Sequence, residues 1–158
     1  MITPRKQFME KAIGQALRAQ KNGDYAIGAV LVRGDTIIAS SENRSKQDQS
    51  PVAHAEALVI IETSKKLKNR HLSDCVLYST HEPCPMCAAL CAFAKLKGIV
   101  YGARISDMSN YRSSKANKHY LWRTIDISCT EVIQKSGEPI EVTGDFMRDE
   151  CLQLFHNR

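Results

Sequence analysis

Two short fragments constrain this chain more than anything else in it: His54-Ala55-Glu56 and Pro83-Cys84-Pro85-Met86-Cys87. Both read as the first turn of a helix, where unpaired backbone N–H groups and the helix dipole favour negative charge. Cys84 and Cys87 can therefore stand as thiolates, and Pro85 costs little where no intrahelical hydrogen bond is lost. Three residues apart, their sulfurs can converge on one ion, and His54 adds a neutral nitrogen that suits zinc's mixed N and S coordination. A fold that satisfies this pattern must bring two helix starts from separate parts of the sequence to one point.

Taken singly, the pieces leave alternatives open. A Cys-x-x-Cys pair also reads as a redox dithiol, although that reading calls for a thioredoxin-like strand and helix that this sequence lacks. A single histidine is also an ordinary core residue. Cys91 lies near the same helix face as Cys84 and Cys87 and raises the question of a third thiolate, which would close the site. At about 1.5 Å of rise per residue, Cys91 sits roughly 10 Å along the axis from Cys84 and roughly 6 Å from Cys87. A cysteine side chain does not easily span that gap, so Cys91 reads as a buried packing residue and zinc keeps its fourth position for water.

Redox compartment decides how the remaining cysteines are read, and there are six in all. The opening MITPRKQFMEK holds no apolar run of signal-peptide length, and no stretch approaches the roughly 18 apolar residues of a membrane span. A cytoplasmic protein without a membrane partner is expected, and with it metal binding or burial of cysteines instead of disulfides. At 158 residues, 43% of them hydrophobic and 25% charged, the chain suits one domain spanning 1–158. Net charge +5 permits a polyanionic partner without requiring one. The basic residues are dispersed, with small clusters at Lys65-Lys66-Lys68-Arg70 and between Arg112 and Arg123, and such clusters are usually solvated faces. Arg33-Gly34-Asp35, between two strand-like runs, reads as a hairpin turn and not as an adhesion motif.

Periodicity supplies the elements. Phe8, Met9, Ala12, Ile13, Ala16 and Leu17 recur at helical spacing behind Thr3 as N-cap and Pro4 as first helical residue, and Asn22-Gly23 ends that helix. AIGAVLV and TIIAS form a hairpin, followed by the polar loop ENRSKQDQS. Ser50 and Pro51 read as the N-cap and first position of a second helix running to about Lys68. CVLYST is a strand, the helix opened by PCPMC covers Leu90, Phe93 and Ala94, and GIVYG is a further strand. Within 104–137, HYLWRTIDI reads as partly helical, and Ser128 with Glu131 matches a capping box. PIEV suggests a last strand, and a helix carrying Phe146, Cys151, Leu152 and Phe155 closes the chain. The alternation of helices and strands indicates an α/β domain with helices packed on one mixed sheet.

His-x-Glu followed by Pro-Cys-x-x-Cys is the signature of zinc-dependent nucleobase deaminases. On that motif the chain resembles the cytidine/deoxycytidylate deaminase superfamily, and within it the branch of bacterial tRNA adenosine deaminases and guanine-type deaminases. IGAVLV, Asn43 after the second strand, AHAE, EPCPMC and VTGDFMRDECLQLF fall in the family's order, over almost the whole chain. The resemblance implies a three-layer cytidine-deaminase-like fold, its central mixed five-stranded sheet flanked by helices. It implies one zinc ion on His54, Cys84 and Cys87, which lowers the pKa of a bound water from 15.7 to about 7 and so supplies hydroxide to attack the amino-bearing ring carbon. Glu56 would shuttle the proton and ammonia would leave.

The same resemblance gives Asn43 a hydrogen bond to the base and gives Ile27 a packing contact with it. The backbone N–H of Ala55 and the carbonyl of Glu82 would face the ring's polar edge. Asn43 also reads as a strand-end turn residue, Ile27 as core, Glu56 as a helix-dipole carboxylate, and His81 as either a pocket-edge or a surface residue. RISDMSNYRSSKANKHYLWRTIDIS is bulkier than the corresponding stretch of tRNA adenosine deaminases, and Tyr111, Tyr120, Leu121 and Trp122 suit enclosure of a free base or nucleoside, or a subunit interface. The preferred reading is hydrolytic deamination of a nucleobase or nucleoside, purine ahead of pyrimidine, by a homodimer. The alternative is a tRNA adenosine deaminase with RNA as partner, and a third is a noncatalytic zinc-stabilised interaction module.

Overall fold

A computed structural model describes residues 1–115 and 117–156, apart from the side chain of His156. The pattern of apolar residues along the strands dictates its layers. Ala29, Leu31, Leu77 and Ile99 point to one face of a sheet and Val30, Val32, Val76, Tyr78 and Val100 to the other, all buried. Strands that are apolar on both faces need helices above and below. The strands are β1 (Gly28–Arg33), β2 (Thr36–Glu42), β3 (Cys75–His81), β4 (Gly98–Ala103) and β5 (Glu141–Thr143). They order as β2-β1-β3-β4-β5, antiparallel on the β2-β1-β3 side and parallel from β3 to β5.

Helices α2 (Ala55–Leu67), α3 (Pro85–Phe93) and α5 (Cys129–Ser136) cover the first face. Helices α1 (Lys6–Lys21), α4 (Ile105–Lys115) and α6 (Arg148–His156) cover the second. The result is the expected mixed five-stranded sheet flanked by helices. Gly34 turns the β1–β2 hairpin at φ +60°, as read from Arg33-Gly34-Asp35. Close approach of α1 to β1 requires Gly28, because a Cβ there would lie 2.0 Å from the Ala12 carbonyl oxygen. No helix among the described residues is long and apolar enough to cross a membrane.

Three expectations fail, each where distant side chains outweigh local signals. Thr3 and Pro4 do not start α1. Arg5 caps it in extended conformation, because the Ile2 N–H donates to the Glu141 carboxylate and the Arg5 N–H to Tyr78 Oη, tying the leading residues to the sheet. Ser50 and Pro51 do not start α2. The Arg44 N–H donates to the Ala53 carbonyl and the Ser50 N–H to that of Ser45, folding 44–53 into a closed loop so that His54 becomes the cap. HYLWRTIDI is irregular, and the helix lies upstream in ISDMSNYRSSK. Trp122, at φ 50°, is drawn into contact with His81 and Phe155, and the Leu121 N–H donates to Tyr25 Oη. The reading of Ser128 holds, its hydroxyl accepting from the Glu131 N–H at the start of α5.

Candidate functional site

Antiparallel β1 and parallel β4 flank β3, so the carboxyl end of β3 is a point where strand direction switches and a crevice opens. Two helices begin there. His54 caps α2, its carbonyl accepting from the Leu58 N–H, and Cys84 caps α3, its carbonyl accepting from the Ala88 N–H. The two caps point their side chains at each other. Cys84 Sγ lies 3.7 Å and Cys87 Sγ 3.5 Å from His54 Nδ1. All three ligand atoms lie within 4.8 Å of one another. Tetrahedral zinc with ordinary Zn–S and Zn–N bonds separates sulfur from nitrogen by about 3.6 Å, so the donor set and its spacing fit zinc. Cys91 is fully buried among core residues of α3 and the sheet, outside this group.

Charge and burial set the protonation of the cluster. A hydrogen bond from Cys87 brings the Cys84 thiol down to about 4 against the cost of burial, with help from His54, while Cys87 moves well up as the donor of that pair. The Cys84 partner raises the His54 imidazole, opposed by burial. One thiolate is thus formed before any cation binds, and a cation there would favour the second.

Glu56, one residue inside α2, is 4% exposed. Its Oε2 lies 4.0 Å from Cys87 Sγ, and its Oε1 lies 3.2 Å from Ser79 Oγ on β3. Burial pushes this carboxyl up to about 7, moderated by the His54 charge, and a divalent cation alongside would draw it down. A carboxyl so placed can both take and return a proton near neutral pH.

The crevice is a pocket of about 470 Å³. His54, Glu56 and Cys84 line it, Ile27, Ile105 and Met108 give apolar walls, and the segment Arg123–Ile125 completes the lining as a lid segment from outside the sheet. Ile27 therefore lines the pocket. Asn43 lines an adjoining cavity of about 260 Å³ that shares Ile27, His54 and Arg123 with the first. Asn43 Nδ2 donates to Asp24 and to Ser45, so its amide also serves the loop. Ala55 is the first residue of α2, where an amide has no partner within the helix. Glu82 lines the pocket, but its carboxylate accepts the N–H of Ile105 and that of Cys129, the first residues of α4 and α5. His81 is no surface residue: at 1% exposure it stacks on Trp122 and meets the edge of Phe155.

Sequence reasoning missed several parts of this site. Buried Asp24 gathers the amides of Tyr25, Lys46 and Gln47 and so shapes the loop after Asn43. Ser79 and the lid residues Arg123–Ile125 carry no local motif. The only signal was compositional, the single tryptophan at 122 in a stretch of basic and aromatic residues.

The model of the cytidine and deoxycytidylate deaminase zinc-binding region matches residues 2–103. The chain belongs to this family. Its match to the tRNA-specific adenosine deaminase of Bacillus subtilis is 41% identical over 102 residues, 65% of this chain and 63% of that protein's length. The chain thus spans less than two thirds of that relative. The guanine deaminase of Bacillus subtilis is 36% identical over 120 residues, 75% of each. A solved structure from work on A-to-I editing by tRNA:A34 deaminases superposes with a TM-score of 0.77 at 29% identity, covering 95% of this chain and 99% of that one. The family match ends at Ala103, where β4 gives way to α4 and the lid.

Proposed function

We propose that residues 1–158 form one zinc-dependent hydrolytic deaminase domain acting on the exocyclic amine of a purine base. The observation that carries this is a buried carboxylate, Glu56, beside a three-donor cluster in the wall of a pocket. His54, Cys84 and Cys87 would hold a zinc ion, which would supply an acidified water at the position these three ligands leave free. Glu56 takes a proton from the attacking water on Oε2, the oxygen nearer the ligands, and gives it to a ring nitrogen as oxygen adds to the amino-bearing carbon. It then moves the proton of the new hydroxyl to the amine, which leaves as ammonia when its C–N bond breaks. Ile27 and Met108 hold the ring between apolar surfaces, while Asn43 and the amide of Ala55 offer hydrogen bonds to its polar edge. Ammonia release from guanine, adenine, cytosine, their nucleosides and an anticodon stem-loop, with Glu56→Gln as control, tests the reading. Absence of ammonia from every substrate would overturn it.

The apolar walls given by Ile27, Ile105 and Met108 support a free base or nucleoside. A second reading, adenosine presented by RNA, is supported by the likeness to tRNA deaminases and by Arg123. This cation lines both cavities and has no ion-pair partner among the described residues, which supports its use on a phosphate. Under the RNA reading, Arg123→Ala raises KM for the stem-loop about tenfold, lowers its salt dependence and leaves a nucleoside nearly unaffected. Equal KM values for wild type and variant on the stem-loop would remove Arg123 from recognition.

We also propose a homodimer. Met86, Leu90 and Phe93 follow one another along one side of α3, and Phe93 is 79% exposed, an unusual state for a large aromatic side chain. Phe93→Glu is expected to convert a dimer to a monomer by light scattering. A monomeric wild type would exclude the assembly.

A further inference from the structure

The carboxylate assigned to proton transfer is held from two sides, by its own backbone N–H at the start of α2 and by a hydroxyl that reaches it from the sheet. Ser79 is fully buried on β3, paired with Ala29 of β1 on one side and Tyr101 of β4 on the other. Its hydroxyl lies 2.7 Å from the His81 carbonyl and 3.2 Å from Glu56 Oε1. The two contacts differ in kind. The carbonyl only accepts, and its short distance fixes the rotamer of Ser79; the carboxylate is then met at the distance where the same hydroxyl hydrogen can be shared.

We propose that Ser79 is a positioning residue for Glu56, holding Oε1 so that Oε2 alone faces the zinc-ligand cluster. This rests on the deaminase reading for its consequence, but the geometry stands without it. Glu56 reaches its place from a helix start, where the side chain has three rotatable bonds and the terminal one is broad. Without a partner on Oε1, a buried carboxylate both loses a hydrogen bond and gains freedom to turn its oxygens away from the reacting centre. The sheet supplies what the helix lacks, a hydroxyl whose backbone is locked on both sides by strand pairing. His81 has a part in this beyond its ring, since its carbonyl sets the hydroxyl that sets the carboxylate.

The test compares zinc-loaded wild type, Ser79→Ala and Ser79→Thr in three measurements: kcat and KM for the deaminated substrate, zinc content, and the Glu56 orientation in crystal structures. Ser79→Ala should lower kcat tenfold to a hundredfold, the usual range for residues that orient a metal site's groups, with KM and zinc content unchanged and Glu56 turned from its wild-type rotamer. Ser79→Thr, which keeps the hydroxyl, should restore most of kcat. An unchanged kcat or an unmoved Glu56 in Ser79→Ala overturns the proposal, as does a loss of kcat that follows loss of zinc. If wild type releases no ammonia yet Glu56 turns in Ser79→Ala, the deaminase reading fails while the positioning role stands.

Discussion

Glu56→Gln is expected to lower kcat by a factor of about 10²–10⁴, the range that positioned proton transfer contributes. That corresponds to about 3–5 kcal/mol of transition-state stabilisation. The substitution keeps the volume of a side chain that is 4% exposed, and it keeps an oxygen for Ser79 to reach. It removes the capacity to take a proton on Oε2. Zinc content and KM should therefore stay near wild type while turnover collapses, and steady-state kinetics with metal analysis would show this. Full turnover in the glutamine variant would assign Glu56 to the helix dipole and leave proton transfer to another group.

Substitution of the two kinds of cysteine on α3 should separate just as sharply. Cys84→Ala removes the helix-cap thiolate that lies 3.7 Å from His54 Nδ1, and the expected result is loss of bound zinc together with all measurable turnover. Stability falls as well, because a ligand at a thousand times its Kd contributes about 4 kcal/mol to the folded state that binds it. Cys91→Ala leaves the donor set untouched. It removes one sulfur from a packed core, for a cost of about 1 kcal/mol, and zinc content should remain at one per chain. Metal analysis paired with thermal melts checks both. A zinc-free Cys91→Ala protein, or a fully loaded Cys84→Ala protein, would reverse the assignment of ligands.

His54, Cys84 and Cys87 were legible in the sequence because helix starts are local events. A proline after Cys84 and a carboxylate after His54 announce them, and the rise of the helix per residue already separated Cys91 from the other two. The layers were legible for the same reason, in strands with no polar side. What could not be read depends on partners far along the chain. Trp122 breaks its local helical pattern because His81 and Phe155 offer it a buried face. Ser50-Pro51 has the chemistry of a helix start, and the Arg44–Ala53 and Ser45–Ser50 hydrogen bonds override it. Ser79 looks like any small residue in a buried strand until α2 is laid across it.

The lid over the pocket has a different kind of construction from the floor. Lys46 reaches the carbonyl of His119 and lies over the ring of Tyr120, Tyr25 accepts from Leu121, and Ser109 meets Thr124. These tethers are side chains borrowed from elsewhere, whereas the ligands stand at the starts of two helices packed on the sheet. None of these tethers involves the strand pairing or the three ligands. In evolutionary terms, a segment held this way can vary in sequence while the donor cluster beneath it is inherited unaltered.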